Sequence, residues 1–397
     1  MTGGSIREYA KTMRGRYWRA DRKGKTWILN EFITVTGYHR KAAIRLLGRV
    51  DEGVPKARRG RHREYGSEVG EALKTIWEAS DCICSRRLHG FMEEWIEVLS
   101  YHGELMVEPS VKDKLGKMSR STIDRLLRPY RLVRKRRSLV TTKPGSLLKA
   151  SIPLRTFGEW EEKKPGFLEV DLVAHCGEST EGFYLTTLSA VDIATRWAEY
   201  RGVWGKGQNK VGGAIHLLRQ RFPFPILGLD SDNGGEFINH DLYRYCQKET
   251  IKFTRSRPYK KNDNAHVEQK NSWIRRLVGY GRYESRQALD LLNRLYEMEH
   301  LWANFFQPVS VLQSKTRHGA KVNKIYDAAQ TPYRRLLASG ILSEDQKSEL
   351  EKRYRDTNPV KLKADIESTL KQLWQQAVYP NTCGNKKRRG QVDNSSS

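Results

Sequence analysis

The stretch Gly228–Phe237 reads GLDSDNGGEF and contains three acidic residues but no lysine or arginine. Its surroundings share this character, because no Lys or Arg occurs between Pro223 and Tyr243. The apolar residues before it and the Asn-Gly-Gly after it predict a short buried strand over residues 225–232 that ends in a turn. Such an acidic strand end is unexpected here, since the 397-residue chain carries 72 Lys and Arg against 46 Asp and Glu.

A second stretch without lysine or arginine, residues 167–192, has the composition of paired strands. It is rich in β-branched and aromatic residues, and turn signals interrupt it. Three hairpin-linked strands, followed by helices that alternate with two further strands, predict a mixed five-stranded sheet with helices on its faces. The predicted strands cover residues 167–175, 183–192, 196–204, 225–232 and 251–254, and a long helix is predicted from Asn264 through Val278.

The two acidic stretches place carboxylates on strands of one predicted sheet. Glu169 and Asp171 share a strand face, as do Asp230 and Asp232, because side chains alternate along a strand. Crowded carboxylates repel one another, and a divalent cation that prefers hard oxygen ligands, such as Mg²⁺, removes that cost. If the acids only balanced a basic surface, lysines or arginines would be interspersed among them, and none is.

The helix predicted from Asn264 carries a further acid in its first turns, Glu268. Arg275 stands two turns later on the same face, with Lys270 and Asn271 between them. An acid beside cations on one helix can hold a metal while the cations hold DNA phosphates. A Glu and Arg pair at this spacing is also common on solvated helices, so the pair alone is weak support.

Together these features resemble the DDE triad of retroviral-integrase-type transposases, the integrase-core proteins of bacterial insertion sequences. Asp171, Asp232 and Glu268 stand where that family has its three acids. Asp232 opens Asp-Asn-Gly-Gly-Glu-Phe, close to the family's Asp-Asn-Gly pattern, and 35 residues separate it from Glu268, the spacing that marks the family. Arg275 and His175 also stand at positions that fit the family's pattern.

Other acids in the same stretches compete for these roles. Asp230 is an alternative to Asp232, although the spacing and the following Asn-Gly favour Asp232. Glu169 is an alternative to Asp171, although its neighbours fit the pattern less well. The remaining candidates and their expected places are Asp192 at a strand end, Glu236 in a loop or at a helix start, and His175 behind the ligands or facing DNA.

The resemblance covers about residues 160–280 and implies a ribonuclease-H-like catalytic core that performs phosphoryl transfer on DNA. The implied activity is Mg²⁺-dependent 3′-end cleavage and strand transfer at the terminal inverted repeats of an insertion sequence. Two Mg²⁺ ions, which Mn²⁺ can replace, would be bridged by Asp171, with Asp232 on one ion and Glu268 on the other. Two alternatives remain open: a ribonuclease-H-like nuclease without strand transfer, and a non-catalytic DNA-binding relative.

The net charge of +26 predicts a polyanionic partner, with nucleic acid as the first candidate. Residues 1–64 hold 17 Lys and Arg against 6 Asp and Glu, and residues 112–143 hold 12 against 2. A helix, short turn and helix pattern, typical of helix-turn-helix DNA binding, occurs over 25–50 and again over 111–131. An ordinary helical hairpin is the alternative. The predicted DNA-binding residues are Arg40, Lys41, Arg45, Arg120, Thr122, Arg125, Lys260, Lys261, Lys270, Arg275 and Arg276.

The expected organisation is a multi-domain protein of the bacterial cytoplasm, associated with the nucleoid. Its partners would be double-stranded DNA, both transposon ends and target, and further copies of itself on that DNA; neither a small-molecule cofactor nor a membrane is expected. No apolar run approaches the roughly 20 residues of a membrane helix. The predicted domains are 1–52 (helix-turn-helix), 53–64 (basic linker), 65–133 (helical, with the second helix-turn-helix), 134–158 (basic linker), 159–282 (catalytic core), 283–382 (mainly α-helical, basic) and 383–397 (disordered tail).

Overall fold

The computed structural model describes residues 2–49, 64–131, 164–232, 234–256 and 264–378. The chain divides into two compact units, Met1–Glu64 and Tyr65–Ser397. Several predictions lie outside the described residues: the linker at 134–158, nearly all of the linker at 53–64, the tail at 383–397, and the candidate DNA contacts Lys260 and Lys261.

The described part of the first unit, residues 2–49, contains three helices, α1 (Gly3–Arg19), α2 (Arg22–Thr36) and α3 (Arg40–Leu47). Gly37 ends α2 in the left-handed conformation, at a φ of 68°, and its N–H donates to the carbonyl of Ile33. The helices predicted on either side of this glycine are therefore present, and DNA binding by them stays a prediction. The small core of the unit consists of Ile6, Ala10, Met13, Ile28, Leu29, Phe32, Ala43 and Leu47.

The second unit begins with five helices: α4 (Ser67–Ala79), α5 (Ser85–Gly90), α6 (Met92–Tyr101), α7 (Pro109–Gly116) and α8 (Arg120–Leu127). Ser119 caps the last of these, since its hydroxyl accepts the N–H of Thr122 over 3.3 Å. The helix therefore begins at Arg120, and Arg120 and Ser121 lie inside its first turn.

A mixed five-stranded sheet follows, as predicted. Its strands are β1 (Phe167–Ala174), β2 (Thr186–Asp192), β3 (Ala198–Val203), β4 (Gly228–Ser231) and β5 (Lys252–Arg255). The order across the sheet is β3-β2-β1-β4-β5, with antiparallel pairs from β3 to β1 and parallel pairs from β1 to β5. Every residue of β2 is buried, because both faces of the sheet are covered.

Four helices connect or cover these strands: α9 (Gln208–Arg219), α10 (His240–Lys248), α11 (Ala265–Val278) and α12 (Arg286–Leu301). Asn239 caps α10, since its side chain accepts the N–H of Leu242 over 2.8 Å. Helix α11 packs on β1 and β2, and α12 packs on β3. Among the described residues no helix combines the length and apolar content required to cross a bilayer.

A π-helical turn, Trp302–Phe306, continues from α12 and connects the N-terminal helices of the second unit to the sheet. The rings of Trp302 and Phe306 lie 6.3 and 5.9 Å from that of Trp95 in α6, measured between centroids. The side chain of Gln307 donates to the carbonyl of Ser80. As a result, helices α4 and α6–α8 share one apolar core with the sheet. Three helices end the described chain: α13 (Pro332–Ala338), α14 (Glu344–Asp356) and α15 (Pro359–Gln375).

The C-terminal region also contains a β-hairpin that sequence analysis did not predict. Its strands are β6 (Leu312–His318) and β7 (Lys321–Tyr326), which pair antiparallel. The region predicted as mainly α-helical is thus helical apart from this hairpin. The reason is visible in its burial, since all residues of β6 are exposed and the strand lacks the alternation of apolar and polar residues that marks a half-buried strand.

Candidate active site

Asp171 in β1 and Asp232, the residue directly after β4, are 61 positions apart in the chain. The parallel register of β1 and β4 sets Glu169 beside Asp230 and Val170 beside Ser231. Asp171 and Asp232 are the next residues along the two strands, so they lie side by side where β4 ends. Their charges interact, since Asp232 is one cause of the raised pKa of Asp171.

Asp171 carries a large pKa shift. Burial, and then the charge of Asp232, raise its pKa from 3.8 to about 7. The backbone N–H of Leu172, which donates to Oδ1 over 2.7 Å, and the guanidinium of Arg275 act in the opposite direction without cancelling the shift. A positively charged group beside Asp171 would therefore stabilise the ionised form of this carboxyl.

Asp232 sits in a tight turn with another acid, Glu236. The N–H of Gly234 donates to Oδ1 of Asp232 over 2.8 Å. A Cβ on Gly234 would lie 2.8 Å from that oxygen and 2.7 Å from the carboxyl carbon of Glu236. The missing side chain thus lets two carboxylates approach, and the pKa of each is raised mainly by burial. From the sequence, Glu236 was expected only in a loop or at a helix start. The sequence feature that could have associated it with the site is its position in the stretch without lysine or arginine.

Glu169, the alternative to Asp171, is fully buried and has a different role. Its Oε2 accepts the backbone N–H groups of His266 and Val267, over 2.9 and 3.0 Å, in the first turn of α11. A carboxylate at this position satisfies helix N–H groups and interacts favourably with the helix dipole. Glu169 thereby fastens α11 to β1 and leaves Asp171 as the strand's carboxylate at the site.

Helix α11 reaches Asp171 through Asn271. The side-chain amide of Asn271 donates to Oδ2 of Asp171 over 2.7 Å. The Oδ1 atom of Asn271 is buried and has no hydrogen-bond partner among the described residues. Glu268 lies one helical turn before Asn271 and is exposed. The structure therefore brings two of the three predicted acids together and holds the third on the helix that contacts Asp171.

The donor set fits a hard divalent cation. The carboxylates of Asp171 and Asp232 supply oxygen ligands, and the pKa of Asp171 is raised to about 7 by its burial and then by the charge of Asp232. Within the described ranges, no three His, Cys, Asp or Glu side chains are close enough to hold a metal ion. Asp171, Asp232 and Glu268 therefore do not form a cluster without a metal, and ionised carboxylates without a cation repel each other.

The remaining polar candidates have structural partners. Asp230 accepts the hydroxyl hydrogen of Thr254 within the sheet, over 2.5 Å. Asp192 ends β2, as expected, and accepts N–H groups of Gly166 and Thr195. His175 is buried and its ring contacts the hydroxyl of Thr187 over 2.7 Å. Burial lowers the pKa of His175 to about 3, so its ring is neutral. Of its two expected places, behind the ligands or facing DNA, a buried ring does not fit the second.

Comparison with known proteins places the chain in a family. No family model matches it. Over 321 residues it is 43% identical to the uncharacterised protein y4rM of Sinorhizobium fredii, a match that covers 81% of this chain and 91% of y4rM. The chain belongs to the y4rM family. Among solved structures, the catalytic core domain of BIV integrase is similar to this y4rM-family chain at 19% identity, with a TM-score of 0.30, over 44% of this chain and 95% of that domain.

The predicted DNA contacts of this y4rM-family protein fall into two groups. Most are exposed: Arg40, Lys41, Arg45, Arg120, Arg125 and Arg276, whereas Thr122, Lys270 and Arg275 are half-buried. Lys270 lies near the buried Glu299, and burial lowers the pKa of its ammonium group to about 8. The charge of Glu299 acts against this lowering. Arg275 lies close enough to Asp171 to lower the pKa of that carboxyl.

Proposed function

We propose that this chain is a DDE transposase, which cleaves the 3′ ends of an insertion sequence at its terminal inverted repeats and joins them to target DNA. The observation that carries the proposal is the pairing of Asp171 with Asp232 where strand β4 ends, with α11 and its Glu268 bound to the same strand. The mixed sheet with its covering helices supports the ribonuclease-H-like core that the sequence resemblance implies.

The acids Asp171, Asp232 and Glu268 would hold two Mg²⁺ or Mn²⁺ ions. When bound, these ions activate a water or a 3′-hydroxyl as nucleophile and stabilise the leaving oxygen of the phosphodiester. Asn271 orients the carboxylate of Asp171 through its hydrogen bond. Groups of this kind, which orient a metal ligand, contribute to metal affinity and activity.

Charges around the acids suit a DNA substrate. Arg275 lies near Asp171, and Arg276 on the same helix is exposed. Both would contact phosphates next to the scissile bond and orient the backbone on the acids. The exposed cations of α3 and α8 would contact the DNA of the transposon ends, as sequence analysis predicted. A multimer on DNA follows from the need to join two ends.

A strand-transfer assay tests this function. The full chain is incubated with Mg²⁺ or Mn²⁺, a labelled duplex from the DNA that flanks its reading frame, and a supercoiled plasmid. We expect 3′-end nicking and joining, both reduced to background by Asp171→Asn, Asp232→Asn and Glu268→Gln. The matched control is Asp290→Asn, which changes an exposed acid on α12 and is expected to act as the parent does.

The same assay separates the two alternatives. Nicking without joining at any metal concentration would indicate a ribonuclease-H-like nuclease. Binding of the duplex without nicking would indicate a DNA-binding relative. If the three substituted proteins join DNA as well as the parent, the site assignment is wrong.

A further inference from the structure

The hairpin β6–β7 is a two-stranded ribbon whose residues are almost all exposed. Such a ribbon on its own has marginal stability in water. Several of its exposed side chains are apolar, among them Leu312, Val322 and Ile325. A segment that exposes both faces buries no apolar core. Packing therefore does not explain why this segment forms a ribbon, and we expect it to have another role.

The ribbon is strongly basic. Residues 312–326 contain Lys315, Arg317, Lys321 and Lys324 together with His318, and no acidic residue. None of the four Lys and Arg side chains forms an ion pair with another part of the chain that the structure describes. Their charge is therefore not balanced by the ribbon or by neighbouring acids.

The strand register concentrates this charge on one face. Lys315 lies directly opposite Lys324, and Arg317 lies two residues from Lys315 on the same face, opposite Val322. Like charges directly opposite each other destabilise a strand pair. A polyanion against this face removes that repulsion, so the ribbon has a physical reason to bind one.

The base of the ribbon is fixed to the rest of its unit. Asp327 accepts the N–H of Val311 over 2.6 Å and forms an ion pair with Arg335 of α13 over 2.7 Å. Arg335 also donates to the carbonyl of Val309. The guanidinium of Arg86 stacks over the ring of Tyr326 at 4.6 Å. These contacts hold both strands at their bases, so the cations are presented on an ordered arm.

We propose that the ribbon of residues 312–326 binds the backbone of double-stranded DNA through Lys315, Arg317 and Lys324. A two-stranded ribbon fits the major groove of B-DNA, where phosphates flank it on both sides. The seven residues of β6 extend roughly 23 Å, enough to follow several phosphates. This inference adds a DNA-binding surface to the proposed function and rests on that function only for the choice of DNA as the polyanion.

The test compares two triple variants of the full chain. The first is Lys315→Gln/Arg317→Gln/Lys324→Gln, and the matched control, Lys352→Gln/Arg353→Gln/Lys361→Gln, removes three exposed cations from α14 and α15. Fluorescence anisotropy with a labelled duplex of arbitrary sequence gives Kd over a series of salt concentrations in EDTA. Each lost phosphate contact should flatten the slope of log K against log salt by about 0.9. We expect this in the ribbon variant and the parental slope in the control.

Two results would overturn the proposal. The first is an equal slope of log K against log salt for the ribbon and control variants. The second is a ribbon variant that binds the duplex as the parent does and loses affinity only for a labelled single-stranded DNA of the same length. The second would make the ribbon a contact for single-stranded nucleic acid. Because binding is measured without metal, a failure of the proposed catalysis leaves this result unchanged. Exposed side chains are replaced in both variants, and unaltered thermal midpoints confirm that both fold.

Discussion

The amide of Asn271 donates to Oδ2 of Asp171 over 2.7 Å and so joins helix α11 to strand β1. Glu169 joins the same two elements by accepting the N–H groups of His266 and Val267. These contacts fix the rotation and the position of the helix against the strand. Glu268 lies one turn from Asn271 on the helix that these contacts fix, and the first prediction concerns this link.

Asn271→Ala should weaken metal-dependent cleavage while the fold is kept. The substitution removes the donor that orients Asp171, and loss of such an orienting group typically costs about 10- to 100-fold in metal affinity or activity. The measurement is the Mg²⁺ concentration that gives half-maximal nicking, which should rise. Ser272→Ala on the exposed side of α11 is the control. An unchanged Mg²⁺ dependence in the Asn271 variant would show that the hydrogen bond has no part in metal binding.

Glu169→Ala should lower stability, because it leaves two N–H groups at the start of α11 without their buried acceptor. Loss of a helix cap costs about 0.5–2 kcal/mol, and the burial of Glu169 puts it at the upper end of that range. Thermal unfolding of the full chain provides the measurement, with the exposed Glu178→Ala as control. Equal midpoints for the two variants would contradict the capping role.

The raised pKa of Asp171 predicts how stability depends on pH without metal. Since the folded-state value, about 7, exceeds the ordinary 3.8, the folded protein binds the proton more tightly than the unfolded chain does. Stability therefore falls as pH rises from about 4 to 7, and Asp171→Asn should remove this loss. In EDTA the variant should have a higher thermal midpoint than the parent at pH 8, and a smaller difference at pH 5. The same difference at both pH values would contradict the shift.

Mg²⁺ should reverse that loss in the parent. Binding requires the ionised carboxylates, so protons compete with the metal below pH 7. The increase in thermal midpoint on adding Mg²⁺ should be larger at pH 8 than at pH 6. The rate of cleavage should likewise fall as the pH is lowered from 8 to 6. Asp171→Asn should abolish the increase, and a pH-independent increase would point to metal binding elsewhere.

Gly234→Ala should lower the rate of DNA cleavage strongly and the thermal midpoint only slightly. The added Cβ would lie 2.8 Å from Oδ1 of Asp232 and 2.7 Å from the carboxyl carbon of Glu236, so one or both carboxylates must move. A shift of about 1 Å in a reacting group can cost about 100-fold in rate. Gly212→Ala is the control, because an added Cβ there meets nothing within 4 Å. Full activity in the Gly234 variant would show that the turn tolerates the displacement.

Much of the sheet was predictable because its signals are local. The five strands carry β-branched and apolar residues between clear turns, and each predicted range overlaps an observed strand. Two stretches without lysine or arginine, in an otherwise basic chain, predicted acids on strands of one sheet, and the resemblance to DDE transposases singled out Asp171 and Asp232 among them. Charge of one sign on adjacent strands is visible in the sequence even though the contact is long-range.

Other features depend on contacts that local patterns do not contain. Glu169 has the same sequence signature as a ligand, and its capping role depends on backbone groups 97 and 98 residues away. The packing of Trp95 against Trp302 and Phe306 likewise joins distant segments. The ribbon β6–β7 was missed for the opposite reason, since a strand exposed on both faces leaves no periodic apolar pattern.

Binding of Mn²⁺ to the full chain at pH 8, followed by electron paramagnetic resonance, tests the central claim most directly. We expect the parent and Asp290→Asn to bind the ion equally. We expect Asp171→Asn and Asp232→Asn, which fold as the parent does, to lose that binding. Mn²⁺ binding of parental affinity in both aspartate variants would contradict the claim that these two strands share a metal ion.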